Sequence, residues 1–203
     1  MILSLVLFTL LCSTAFGQVT IGAKKGFSLA SLYGFDNPGD TKRKALTGFN
    51  GGVFADIALS HRFSLQPEIL FNRRGVKEEG GGYEYSWIVS YFDIPVLAKM
   101  NFTFLDELLQ ASVYLGPQFS FGVSSTMDSE SGGPDDEGEA DVRPFDLGLA
   151  VGAEGGVRLP PFDLFVDLRY VLGFLSVVDP DDAYGQRPKN MTFSVLFGFG
   201  YTL

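Results

Sequence analysis

The chain has one cysteine, one histidine and one tryptophan among 203 residues, and beyond its first residues it has no long apolar run. Each scarcity closes off a class of protein. Cys12 stands alone, so no disulfide framework can hold the fold. One histidine and one cysteine leave a His/Cys zinc site without a ligand set. No later stretch approaches the roughly 20 apolar residues of a membrane helix, which excludes a helical membrane protein. Bases are also scarce, with 15 Lys and Arg against 24 Asp and Glu and a formal net charge of -9. That balance disfavours nucleic acid as a partner, because neutralising phosphates requires clustered cations.

The one apolar run, Ile2 to Leu11, is followed by Ser13-Thr14-Ala15 and then Gly17-Gln18. It is too short to span a bilayer and resembles a secretory signal peptide over residues 1–17. Lipoprotein processing at Cys12 is disfavoured because the preceding Leu11 is large. The remaining residues, 18–203, suit one domain.

That domain carries a stripe of period two, the period of a strand. In Phe63-Ser64-Leu65-Gln66-Pro67-Glu68-Ile69-Leu70-Phe71-Asn72 the odd positions are mostly apolar, while the even ones include Gln66, Glu68 and Asn72. The pattern predicts strands over Val19–Tyr33, Thr47–Leu59, Phe63–Gly75, Trp87–Phe102, Leu109–Ser124, Arg143–Leu159, Phe162–Leu175 and Met191–Leu203. Short turns at Ser60-His61-Arg62, near Thr103 to Glu107 and at Pro160-Pro161 alternate with long loops at Gly34–Leu46, Val76–Ser86, Ser125–Val142 and Ser176–Asn190. Short turns on one side and long loops on the other predict an all-β, eight-stranded antiparallel up-and-down transmembrane β-barrel, with both termini at the periplasmic side. A soluble two-sheet sandwich would bury the same stripe but does not require that alternation.

Parity assigns the faces. Phe49, Val53, Ile57, Leu59, Phe92, Ile94, Val96, Met100, Leu147, Leu149, Val151, Val166, Leu168, Tyr170, Phe193, Val195, Phe197, Phe199 and Tyr201 face lipid. Phe63, Phe102, Phe162 and Tyr201 would form one aromatic girdle, and Phe71, Phe92, Phe145 and Phe174 the other. Lys25 shares the lipid parity between Ala23 and Phe27. A mid-membrane charge there costs roughly 2–4 kcal/mol, so a bulge near Gly26 or a snorkelling stem is expected.

The inward parity collects charges of both signs: Lys24, Glu68, Arg74, Asp93, Lys99, Glu154, Arg158, Asp167 and Arg169, with Tyr114 among them. Asn50, Asp56, Gln66, Asn72, Asn101, Gln110, Gln118 and Asp146 share that face. An eight-strand barrel is just wide enough for side chains to fill, and charges inside it must be paired. These residues therefore read as a salt-bridged polar core with little room for a ligand. Inward Gly52, Gly116, Gly148, Gly152 and Gly198 would make space for the long side chains.

Catalytic chemistry has little to work with, and the sequence calls for no cofactor. Hydrolysis or acyl transfer typically needs a histidine with a serine or acid in reach, and His61 sits in a turn between Ser60 and Arg62. Glu68 and Glu154 could mimic a two-carboxylate site, but bases of the same face neutralise them. The acidic loop with Asp128, Glu130, Asp135, Asp136, Glu137, Glu139 and Asp141 lacks calcium-loop spacing and reads as a solvated surface segment, making calcium unlikely there. Lys42-Arg43-Lys44 gives another loop the opposite sign.

Several segments together resemble the small outer-membrane β-barrel proteins of Bacteroidetes, the PorT-like group. They are Gly22-Ala23-Lys24-Lys25-Gly26, Leu65 to Leu70 with Arg74-Gly75, Tyr91 to Lys99, Gly116-Pro117, Asp167-Leu168-Arg169-Tyr170, and Asn190 to Phe193 leading to Tyr201. Asp93 stands where that family usually has Glu, and the chain ends in Leu203 where an aromatic is common. The resemblance implies an outer-membrane barrel; for function it implies only that some relatives serve in protein secretion.

The expectation is a non-enzymatic structural or interaction protein, with activity in its loops or periplasmic rim. Its partners would be outer-membrane lipid and other envelope or secretion proteins. The alternatives are a small pore or transporter for polar solutes and a lipid-modifying enzyme. Fractionation of expressing cells should place a chain beginning near Gln18 in the outer membrane, with β-type circular dichroism and heat-dependent gel mobility. Recovery as a soluble periplasmic protein without detergent would overturn that expectation.

Overall fold

A computed structural model describes residues 17–33, 42–80, 83–105, 108–129, 145–176 and 189–203. The proposed signal segment up to residue 16 and much of the loops Gly34–Leu46, Ser125–Val142 and Ser176–Asn190 lie outside the described residues. The strands are β1 (Val19–Tyr33), β2 (Lys42–Ala58), β3 (Phe63–Gly80), β4 (Tyr83–Phe104), β5 (Leu109–Ser129), β6 (Phe145–Leu159), β7 (Phe162–Ser176) and β8 (Lys189–Thr202). Each pairs antiparallel with its neighbours in chain order, and β8 closes onto β1. Closure leaves no edge along the wall, which is how a sheet can stand in a medium that cannot hydrogen-bond.

The short-turn end holds both ends of the sheet. There Leu203 N–H donates to the Val19 carbonyl and Ala58 N–H to the Gln18 carbonyl, at 2.9 and 3.1 Å. Toward the other end the strands outrun the sequence-based expectation. Val76–Ser86, expected as a loop, is ladder on both arms, with register from Val76↔Trp87 to Gly80↔Tyr83. β2 likewise begins at Lys42 and β5 runs on to Ser129. The stripe fades there because Lys77, Glu78, Glu79 and Glu84 replace the apolar half of the period. The backbone ladder continues there without an apolar stripe in the sequence to announce it.

Side chains alternate across the wall. Phe27, Val53, Leu115 and Phe197 are among the most exposed of the outward residues. Phe71 packs edge-on against Phe92 at mid-length of β3 and β4, and Phe162 packs at a tilt against Tyr201 near the short-turn end, at centroid distances of 5.7 and 5.6 Å. Lys25 is exposed on this outer face. The bulge expected near Gly26 is absent: Lys25 pairs in unbroken register with Gly51 on one side and Phe197 on the other. The register shifts fall elsewhere, between Ala45 and Asn50 of β2, Ser90 and Tyr91 of β4, and Leu172 and Ser176 of β7. The ladder therefore keeps its pairing and leaves the lysine on the apolar wall.

Inside, glycines admit rings. A Cβ on Gly198 would lie 2.1 Å from the Phe165 ring, and one on Gly22 2.5 Å from that of Phe54. The two phenylalanines meet edge to face at 5.6 Å. A Cβ on Gly152 would come within 2.3 Å of the Tyr114 hydroxyl. Gly198→Ala should lower stability by roughly 1–3 kcal/mol through overpacking. Adding Phe165→Leu should recover part of the loss. Urea unfolding in detergent micelles measures both, and a neutral Gly198→Ala would refute the close approach.

Candidate functional site: a plugged lumen with a vestibule

The centre of the barrel is a network of buried charges drawn from six strands. β1 contributes Lys24, placed inward by the same alternation that turns Lys25 out. Its Nζ donates to Glu68 Oε1 of β3 at 2.9 Å, Glu154 Oε1 of β6 at 3.1 Å and Asp167 Oδ2 of β7 at 2.9 Å. An ammonium has three protons, and here each has a carboxylate. The same Nζ lies 5.1 and 5.4 Å from the ring centres of Phe54 and Phe165.

Arg169 of β7 completes the other side. Its Nη1 and Nη2 grip Glu68 through both carboxylate oxygens at 2.7 and 2.9 Å, and Nη2 also reaches Asp167 Oδ2 at 2.9 Å. Nε donates to the Tyr114 hydroxyl at 3.1 Å, and that hydroxyl donates to Asp167 Oδ1. A planar guanidinium suits this fork, where a lysine would supply a single point charge. Lys99 of β4 bonds Gln66 Oε1 at 2.7 Å and Glu154 Oε2 at 2.5 Å, and pairs with Asp56 Oδ2 of β2 at 2.9 Å. Gln66 Nε2 returns a bond to Glu68 Oε1 at 2.6 Å.

Of the ten residues singled out by parity, this network unites Lys24, Glu68, Lys99, Tyr114, Glu154, Asp167 and Arg169. Arg74 and Asp93 form a separate buried pair at 2.6 Å toward the loop end, joined by Asn72 and Ser120. Arg158 belongs to neither: it is half-buried and pairs at 3.1 Å with Asp163 across the β6–β7 turn. Ser28 and Ser120 were not anticipated, although each lies on the inward parity. Their short hydroxyls carry little signal in a sequence.

Between the two polar groups stands an apolar layer that charge-based reading passed over. Leu97, Ala150 and Val171 pack with the ring of Tyr114, and Leu70 and Leu196 are buried too. Leu70 follows Glu68 on β3, and Val171 follows Arg169 on β7. Among the described residues no side-chain hydrogen bond crosses from the Lys24 network to the Arg74 pair. A hydrated ion moving along the axis would have to shed its water against these side chains.

Toward the short-turn end the interior opens. A cavity of about 160 Å³ is bounded by Asp56, Lys99, Asn101, Gln110, Arg158 and Phe165, with Ser60 and His61 at its mouth. The expectation of an interior with little room for a ligand is thus corrected for this half. The cause is local: small residues line the lower wall, including Ser112, Gly156 and Ala58, while the long side chains converge one layer deeper. At the mouth, Ser60 Oγ accepts from the backbone N–H groups of Arg62 and Phe63 at 3.3 and 3.1 Å and so closes the turn.

Removing one member of a buried, fully bonded charge set leaves its partner uncompensated. Arg169→Met should therefore destabilise the barrel by about 3–5 kcal/mol. The double variant Arg169→Met with Glu68→Gln should be more stable than the sum of the singles implies, because the orphaned carboxylate is removed. Equilibrium urea unfolding reads both. Strict additivity would mean that the two side chains do not act as a pair.

The sequence profile for the outer membrane protein beta-barrel domain matches residues 14–179. Among curated protein sequences none matches the chain significantly. Among solved structures, the outer membrane protein OprG from Pseudomonas aeruginosa superposes with a TM-score of 0.52 at 14% identity, over 92% of this chain and 96% of that one. Neisserial surface protein A gives 0.47 at 15% identity, over 91% and 98%. Ail, the attachment invasion locus protein of Yersinia pestis, gives 0.44 at 16% identity, over 92% and 100%. At these identities the likeness to OprG speaks for the barrel architecture alone. The profile match, taken with the closed eight-stranded barrel, shows that the chain belongs to the outer membrane protein beta-barrel domain family.

Proposed function

We propose that this chain is a non-enzymatic structural or interaction protein of the outer membrane that works through its loops and rims. The observation that carries the proposal is the plug, in which charges compensated within the lumen are backed by the layer of Leu70, Leu97, Ala150 and Val171. A barrel filled in this way has spent its interior on stability, leaving the surfaces at its two ends to meet other molecules. β3, β4 and β5, at 18, 22 and 21 residues, are longer than the roughly 9–11 residues a membrane-spanning strand needs, so their far ends would extend beyond the bilayer. They offer a scaffold for such contacts.

In this reading residues 1–17 direct export and are removed, and the chain is kin to the PorT-like proteins of Bacteroidetes, with a place among secretion components. Lipid would meet the outward face, on which Lys25 is exposed and where a snorkelling stem would carry its charge toward headgroups. Other envelope or secretion proteins are the remaining partners, and nucleic acid and calcium have no part. A non-catalytic role is supported at Ser60, whose hydroxyl oxygen accepts two backbone bonds that close the turn. A small-solute pore is the competing reading, favoured by the cavity at one end and opposed by the apolar layer above it.

Purified barrel in planar bilayers should give no stable single-channel conductance. Leu97→Ser combined with Val171→Ser should raise leak before it abolishes assembly. Replacing residues 130–142 by a short turn should leave heat-dependent gel mobility intact while changing the cellular phenotype. Steady conductance from the unaltered chain would overturn the structural reading in favour of the pore.

A further inference from the structure

The charges of the central network do not balance, and the imbalance falls at the vestibule of the short-turn end. In the deep half two cations, Lys24 and Arg169, meet two carboxylates, Glu68 and Asp167. Glu154 is shared between Lys24 and Lys99, whereas Asp56 has Lys99 alone among the described residues. Arg158 and Asp163 satisfy each other. Across the connected network three cations, Lys24, Arg169 and Lys99, face four carboxylates, Glu68, Asp167, Glu154 and Asp56, and the one with a single partner, Asp56, lines the cavity. Asp56 is the open member: its side chain is 19% exposed, against 7% for Glu154.

The walls around Asp56 have a particular chemistry. Asn101 and Gln110 supply amide oxygens able to accept from a cation, while the rings of Phe54 and Phe165 form an apolar side. A small carboxylate ligand would meet an excess of its own sign, at a cost that low local dielectric increases. A bare metal ion would find one carboxylate and neutral oxygens but would leave the aromatic side without a partner. A cation on a short carbon stem uses both, with its head at the carboxylate and its stem against the rings. The volume of about 160 Å³ suits it. An apolar cavity of about 150 Å³ holds a benzene-sized molecule.

We infer that the vestibule is a binding site for a small organic cation, a primary ammonium or guanidinium, with Asp56 as its counter-ion. This goes beyond the structural role proposed above and does not depend on it. The cation has two possible sources, a free amine in the compartment at that end or a Lys or Arg side chain of another protein docking on the rim. The recognition chemistry is the same for both.

The test uses the full chain in detergent micelles, observed by NMR on its Asn and Gln side-chain amides. Butylammonium and methylguanidinium should each shift the Asn101 and Gln110 signals saturably in the millimolar range, and acetate should not. Asp56→Asn removes the excess charge while Lys99 keeps Glu154 and Gln66, and it should weaken both cations by about tenfold or more. Gln110→Trp, which fills the wall without touching an ion pair, should do the same by occlusion. A short peptide with a single lysine separates the sources: markedly tighter binding than butylammonium points to a docking protein, and equal or weaker binding to a free amine. The inference fails if the cations give no saturable shift, if acetate competes equally, or if Asp56→Asn binds as the parent does.

Discussion

The constraint on which the rest of this barrel depends is the compensation of Lys24 and Arg169 in a space without bulk water. Lys24 reaches from β1 to carboxylates on β3, β6 and β7, so its ammonium ties walls that are not neighbours in the sheet. Arg169 then fixes Glu68 in a two-point grip and orients Tyr114. If β1 slipped by one residue, Lys25 would enter the lumen and Lys24 would face outward. The stretch around them offers a lysine in either register. The choice falls to their neighbours, because the slip would also turn Ile21, Phe27 and Leu29 from the outer wall into the lumen and Ser28 out of it.

From that constraint follows the layering of the interior. Long charged side chains meeting at one height need short neighbours, and Gly152 and Gly198 give way to Tyr114 and Phe165. Above the charges the lumen turns apolar at Leu97, Ala150 and Val171, and below them it hollows into the vestibule. The two ends are therefore chemically unlike. One is reached through a polar recess, and the other leads to the Arg74 and Asp93 pair beneath an extended hairpin. A family of barrels with one architecture can vary its behaviour by what it places in these two spaces.

The wall was legible in the sequence wherever lipid and lumen impose opposite demands. Strand β1 runs over Val19–Tyr33, the span its alternation predicts. Where both faces of a strand are polar, as in Lys77 to Glu79, the period vanishes and the ladder could not be read. Parity also gives the face of a residue but neither its height nor its partner. Lys24 and Lys99 share Glu154, whereas Arg158, on the same face, stops at Asp163. Leu70 and Leu97 were hidden differently, because an apolar residue on a polar face reads as noise until its neighbours around the barrel turn out to match it. The vestibule is a property of side-chain length summed over several strands, which no single segment displays.

The layer of Leu70 and Leu97 should stop water that enters the vestibule from the short-turn end. Single cysteines in a chain lacking Cys12, reconstituted in vesicles and probed with a small charged thiol reagent, test this position by position. Gln110→Cys should react rapidly from the side of the short turns, while Leu70→Cys and Leu97→Cys should stay protected from either side. Rapid modification of Leu97→Cys in a folded barrel would contradict the account.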